Sequence, residues 1–170
     1  MDYFLKSDRL GFRCWSNDDL PLATELWRDP GVTALIGGPF KPDMVEARLA
    51  HEIALMQNYS VQYWPIFLLH DNQFVGCTGL KLYKIEDRVY EIGFHLLSKF
   101  WRQGLATEAA KVVIEYGFGQ LDAKAIFAGH HPANHASRKV LLKLSFVHTH
   151  DEPYPLTGLQ HPSYLLRRTS

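Results

Sequence analysis

Cysteine is nearly absent from this chain. Cys14 and Cys77 are the only two among 170 residues, far apart and in neither a CxxC nor a zinc-ligand spacing. A disulfide framework is therefore not indicated, and reduced structural thiols in a cytoplasmic protein are the expectation. Net charge is missing too. The 18 basic side chains balance 18 acidic ones, so no global field draws the protein to nucleic acid or to an anionic membrane, and any anion site must be local. No apolar run approaches the length of a membrane-spanning helix, and the first residues are polar and charged where a secretory leader would be apolar. Repeats and low-complexity tracts are also lacking. His130, His131 and His135, with His148 and His150 further on, show no HExxH pattern and no partner at ligand spacing, so no metal is expected.

What is present is a well-mixed composition, 46% hydrophobic and 13% aromatic, enough for one domain over residues 1–170 and too short for two ordinary ones. Residues 10–15 alternate as a strand. Ser16 and Asn17 offer capping chemistry, and Leu22, Leu26 and Trp27 form the apolar side of a short helix that stops before Pro30. Residues 31–40, with Gly37-Gly38-Pro39, read as a loop. Val45, Leu49, Ile53 and Met56 return at helical spacing over about 42–58. Residues 63–69 and 74–83 flank a polar turn as an antiparallel hairpin, with Gly76 and Gly79 marking a kink or a close backbone approach. A strand follows over 89–96, then a helix from Gly104 to about residue 118, and a strand over 124–128. A helix capped by Asn134 comes next, with Val140, Leu141 and Leu144 toward the core. Two last strands, 146–148 and 164–166, are joined by a connection through Pro153, Pro155 and Pro162. This order predicts an α/β fold with a mixed sheet and helices on both faces.

The most informative stretch is residues 91–110, an apolar strand, a short basic turn and a helix opened by Gly104. The first N–H groups of a helix lack intrahelical acceptors, and the dipole adds positive partial charge there, so such a start attracts anions. Gly104 removes a side chain where a phosphate approaches, Ala106 keeps the next turn small, and Arg102 adds a formal charge. A plain turn before a helix would read the same way.

Phe100-Trp101-Arg102-Gln103-Gly104-Leu105-Ala106-Thr107-Glu108-Ala109 resembles the acetyl-CoA-binding motif of the GNAT superfamily of N-acetyltransferases, most of all its ribosomal-protein-alanine N-acetyltransferase branch. Residues 134–146 are similar to the family's Asn-x-x-Ser and Lys-Leu-Gly-Phe signature, and element order agrees over the whole chain. The resemblance implies a GNAT-like fold with a central, mostly antiparallel sheet of six to seven strands, and acetyl-CoA as cosubstrate. It implies backbone pairing of Phe94, His95 and Leu96 with the pantetheine arm, in the manner of an added strand. The N–H groups from Arg102, Gln103, Gly104, Leu105, Ala106 and Thr107 would hold the pyrophosphate, Asn134 would touch the pantetheine, and Ser137 would lie near the thioester sulfur. The chain departs from the family in four places. Trp101 stands where Arg or Gln is general, Arg102 replaces a glycine, Ser145 replaces a glycine, and Leu141 replaces the tyrosine that protonates the leaving thiolate. Ser137 or water is left to do so.

An alkyl amine must lose a proton before it attacks a thioester, so the site needs a base and donors to the developing oxyanion. Glu91, the lone acid between Tyr90 and Ile92, is the first choice as base, and a salt-bridged edge carboxylate is the alternative reading. His95 reads as a polar strand-end residue or as another candidate base, and His130, His131 and His135 as a histidine relay near the acceptor amine. Ser137 reads also as a first-turn residue bonding its own backbone. The N–H after a bulge near Leu96 is expected to polarise the acetyl carbonyl. Tyr59, Tyr63 and Trp64, with the Gly37–Phe40 loop, are expected toward the acceptor side, most of them as core or rim packing, and Tyr164 reads as a packed aromatic or as one that reaches the acceptor pocket. The acceptor is an amine, on a small molecule or a protein N-terminus, and a homodimer is compatible with the reading. A CoA-binding module without turnover is the alternative function.

Overall fold

The computed structural model describes residues 1–169. Its strands are β1 (Leu5–Lys6), β2 (Leu10–Phe12), β3 (Tyr63–Leu68), β4 (Phe74–Lys84), β5 (Val89–Leu96), β6 (Ala125–Gly129), β7 (Val147–Tyr154) and β8 (Leu159–Arg167). Its helices are α1 (Leu20–Trp27), α2 (Pro30–Thr33), α3 (Pro42–Tyr59), α4 (Leu105–Gly119) and α5 (His135–Lys143). No helix among the described residues is long and apolar enough to cross a membrane.

The strands form one sheet in the order β1-β2-β3-β4-β5-β6-β8-β7, with β5 and β6 parallel and every other pair antiparallel. The class is as expected, but there are eight strands rather than six or seven. The extra one is the two-residue β1, too short to show a pattern. β7 and β8 also run through most of the expected Pro-rich connection. Pro153 sits on the edge strand β7, and Pro162 lies just beyond the last β6 partner of β8, Ser163, where a missing N–H breaks no ladder on that side. The 31–40 loop likewise contains the end of α2. Pro30 leads that helix, and the Asp29 carboxylate accepts from Gly31 N–H at 2.7 Å and Val32 N–H at 3.4 Å.

Adjacent strand residues point to opposite faces, which separates two helical layers. On one face Trp64 packs edge-on against Tyr116 of α4, at 4.9 Å between ring centroids. Gly117 of α4 lies over Leu80 and Ile126, and a methyl group there would come within 3.1 Å of both side chains. On the other face Tyr63, His95 and Cys77 meet residues of α1 and α3. The core runs through both layers, with Leu10, Phe12, Leu26, Trp27, Leu80 and Ile126 fully enclosed. Gly79 is required by a close approach, because a methyl there would collide with the Gln62 carbonyl.

Candidate functional site

β5 and β6 pair only at Val89↔Ala125, Tyr90↔Ile126 and Glu91↔Phe127, while β5 continues against β4 as far as Gly76↔Leu96. Beyond Glu91 the two parallel strands part. The edge of β5 through Phe94, His95 and Leu96 is left open on that side, which is the opening a flat amide chain needs. A cleft of about 180 Å³ occupies the parting, and Glu91, Phe94, His95, Asn134 and Ser137 all line it. The two faces of the sheet meet there, since α3 supplies Arg48 and α5 supplies Asn134, Ser137 and Leu141.

The end of β5 leads through a short turn of 3-10 helix, Ser98–Phe100, into α4. The N–H of Glu108 is the first of α4 to find a carbonyl, that of Gly104 at 3.1 Å. The N–H groups of Leu105, Ala106 and Thr107 bond to nothing among the described residues. Gly104 has φ +76°, and the Leu105 side chain plugs the core beneath it. Arg102 is exposed and has φ +58°, a left-handed backbone that glycine would adopt freely, so the departure from the family motif at this position falls where it costs conformational energy. These features fit a pyrophosphate at the start of α4 and a pantetheine arm along β5.

Trp101 was not expected to do more than stand in for another residue. Its indole N–H donates to the Leu96 carbonyl at 2.7 Å, tying the turn to the end of β5 and occupying that acceptor. The register between β4 and β5 is regular through Leu96, and its one irregularity lies at Leu82 and Lys84. A bulge near Leu96 is therefore absent. The irregular backbone opposite Leu96 belongs to β4, where Gly76 has φ +147° and a methyl would strike the His95 carbonyl.

Glu91 sits at the apex of the parting and pairs across the sheet with Lys81, Oε1 to Nζ 3.3 Å. Burial raises its pKa from the ordinary carboxylate value, and Lys81 opposes that only in part. His95, on the same face of β5, is partly enclosed and lines the cleft. Burial, followed by the charges of Arg48 and Lys81, depresses its pKa to about 3, so its imidazole is neutral. The Asn134 side chain caps α5 by accepting from Ser137 N–H at 3.1 Å. Ser137 Oγ forms no hydrogen bond among the described residues, so the backbone-bonding alternative does not describe it.

The aromatic residues divide by face. Tyr63 and Phe40 line the cleft. Trp64 does not, because its neighbour Tyr63 already takes that face, and Tyr59 is exposed at the end of α3. Tyr164 is enclosed behind the wall, its hydroxyl 3.2 Å from His130 Nε2, while His130 Nδ1 lies 2.7 Å from the His131 carbonyl.

Two residues of consequence escaped the sequence reading. Arg48 reaches the cleft floor from α3, and its only sequence signal is a basic residue four before Glu52 inside an amphipathic helix. Glu108 accepts from Ser7 Oγ at 2.6 Å, Arg9 N–H at 2.8 Å and Arg9 Nε at 2.7 Å, while Arg9 Nη1 donates to the Gln103 carbonyl at 3.1 Å. The first strands are thereby fastened to the turn before α4, a long-range contact that no local pattern announces.

An open mixed sheet whose parallel pair parts beside a glycine-led helix is the architecture expected of an acyltransferase that uses coenzyme A. The chain belongs to the acetyltransferase (GNAT) domain family, whose profile matches residues 9–147. It is 30% identical over 146 residues to the uncharacterized N-acetyltransferase p20 of Bacillus licheniformis, covering 84% of this chain and 81% of that one. It shares its fold with a putative ribosomal-protein-serine acetyltransferase from Vibrio cholerae, with a TM-score of 0.83, 15% identity and 98% of each chain covered. RimL, a ribosomal L7/L12 alpha-N-protein acetyltransferase solved in complex with coenzyme A, has the same fold, with a TM-score of 0.82, 17% identity and 95% of each chain covered.

Proposed function

We propose that this protein is an acetyl-CoA-dependent N-acetyltransferase that moves the acetyl group directly to a primary amine held in the same cleft. The observation that carries this reading is the parting of β5 from β6 beyond Glu91, in a strand whose end leads by a short turn to the unbonded N–H groups of Leu105, Ala106 and Thr107. The open edge through Phe94, His95 and Leu96 takes the arm, with Asn134 beside it. Arg102, Gln103 and Gly104 complete the turn around the pyrophosphate. With no cysteine lining the cleft, donor and acceptor bind together.

Glu91, with its raised pKa, receives the ammonium proton directly or through water. The neutral amine attacks the thioester carbonyl and the C–N bond forms; the adduct nitrogen gives its second proton to solvent water, and the C–S bond breaks to leave the N-acetyl product and the thiolate. Ser137 Oγ, on the first turn of α5, donates a proton to the departing thiolate in place of the tyrosine that Leu141 has displaced, and regains one from solvent. Leu141 itself is enclosed in the core and serves packing.

Thermal melting with increasing acetyl-CoA tests the donor half, since a ligand at about a hundred times its Kd stabilises by about 2.7 kcal/mol. Absence of any shift at millimolar concentration would sink the reading. Release of free CoA in the presence of an amine panel tests the transfer, and binding without release across the panel would favour a module that only holds CoA.

A further inference from the structure

The proposal above leaves the acceptor unnamed, and the cleft floor carries a group it does not use. The Arg48 guanidinium packs against two rings, with its carbon 5.0 Å from the Trp27 ring centroid and 5.3 Å from that of Tyr63. Its Nε donates to Glu52 Oε1 at 2.8 Å, and the other Glu52 oxygen accepts from Tyr63 N–H at 2.7 Å. Glu52 is almost fully enclosed, and its backbone carbonyl is held by Gln62. The guanidinium is therefore held on one edge by Glu52 and packed against two rings. Its two terminal amino groups have no hydrogen-bond partner among the described residues, and 28% of the side chain stays open. That opening is the cleft.

Resting on the acetyltransfer reading, we infer that Arg48 anchors a carboxylate carried by the acceptor close to its amine, so that the substrate class is a free amino acid or a comparably small amino-carboxylate. Three features favour that chemistry. The free end of a guanidinium presents two parallel N–H donors that match the two oxygens of a carboxylate. Both cations on this wall already carry a carboxylate partner, Arg48 with Glu52 and Lys81 with Glu91, so the site suits a monoanion better than a dianionic phosphate. The scale is also small. Tyr63, over which Arg48 lies, places its hydroxyl against Gly93, where an added methyl would strike it. One tyrosine ring thus separates the anion anchor from the open edge of β5. The carboxylate of an ordinary protein chain lies too far from its N-terminal amine to fill both positions, and a polyamine would bring a second cation against Arg48.

The test uses matched pairs, amino acids against their amides as acceptors and N-acetyl amino acids against their amides as ligands of the protein with CoA. Peptides with an acidic or an amide second residue form a further arm. In the wild type, the carboxylate member is expected to win by about ten- to a hundredfold in kcat/KM. Arg48→Met should erase that preference while leaving the KM for acetyl-CoA unchanged, and Arg48→Lys, which keeps a charge beside Glu52, should retain part of it. If Arg48→Met fails to fold, Arg48→Lys is decisive: an undiminished preference overturns the proposal. It is overturned also if amides serve as well as acids, or if only acidic peptides discriminate. Should no amine be acetylated, the transfer reading falls, but calorimetry of the N-acetyl pairs still decides the anchor: tighter binding of the acid supports it, and equal or absent binding refutes it.

Discussion

Trp27 donates its indole N–H to Nδ1 of His95 at 3.2 Å. An imidazole that accepts at Nδ1 carries its proton on Nε2 and is neutral. With its pKa depressed from 6.5 to about 3, His95 cannot take a proton from an ammonium group near neutrality. The expected outcome in NMR is a ring that does not titrate between about pH 8 and pH 5. A midpoint near the ordinary histidine value would contradict the buried neutral state. The sign for stability follows: the unfolded chain protonates His95 as pH falls through 6.5 while the folded chain does not, so stability is lost from there toward 3. His95→Gln should flatten that part of the pH dependence of denaturation.

Glu91 is the converse case, a carboxylate whose pKa is raised because burial outweighs Lys81 at 3.3 Å. As the base it must be ionised, so kcat/KM is expected to rise with pH through a midpoint above the usual carboxylate range. Glu91→Gln should lower the rate by about 10²- to 10⁴-fold and remove that limb. A variant that keeps the wild-type profile would show that Glu91 is a structural partner of Lys81. A raised folded-state pKa also means that the fold disfavours the ionised form above it. The melting temperature of Glu91→Gln should therefore not fall, which separates lost chemistry from lost structure.

Two residues adopt left-handed backbone where the related motifs carry glycine, Arg102 at φ +58° and Ser145 at φ +67°. Ser145 ends α5 in a turn where Phe146 N–H bonds the Leu141 carbonyl at 3.0 Å and Ser145 N–H bonds that of Leu142 at 3.1 Å, and Leu141 and Phe146 are both buried. Ser145→Gly is expected to stabilise the protein by about 0.5–1 kcal/mol in chemical denaturation. Arg102→Gly relieves the same kind of strain but removes a cation from the start of α4. Its expected signature is a higher KM for acetyl-CoA with a weaker salt dependence and no loss of stability.

The parts of this molecule legible in the sequence are those set by local spacing. α3 and α4 follow from their apolar periodicity, the Asn134 cap from one side chain and the next turn, and Gly79 from the close approach its missing Cβ permits. The class of the sheet follows from element order. The parting of β5 and β6 does not, because it depends on where two distant strands cease to pair. Arg48 was invisible for the same reason. Its meaning comes from Trp27 and Tyr63, which flank it in space and not in sequence, and from the period of two that turns Tyr63 toward the cleft and Trp64 away from it.

Glu108, a residue of the motif before and within α4, acts through long-range contacts to Ser7 and Arg9. Burial works against its charge, yet hydrogen bonds from Ser7 and Arg9 hold its pKa below the usual carboxylate range. Through Arg9, which also bonds the Gln103 carbonyl, it fixes the turn that precedes α4. A carboxylate beside an anion site would repel phosphate, but Arg9 neutralises it, leaving geometry as its contribution. Because Arg9 is half-exposed, solvent screens the ion pair, and the hydrogen bonds carry most of the effect. Glu108→Ala is therefore expected to cost about 1–2 kcal/mol, a fall of roughly 2–8 °C in Tm for a chain of this size. The KM for acetyl-CoA should rise while kcat holds, because the proposed base, Glu91, and the cleft it lines lie elsewhere. With a depressed folded-state pKa, the stability Glu108 confers is present above the ordinary carboxylate value and lost as pH falls through the folded one. The variant should accordingly show a shallower acid limb in denaturation, and an unchanged limb with an unchanged KM would mean that Glu108 fastens nothing.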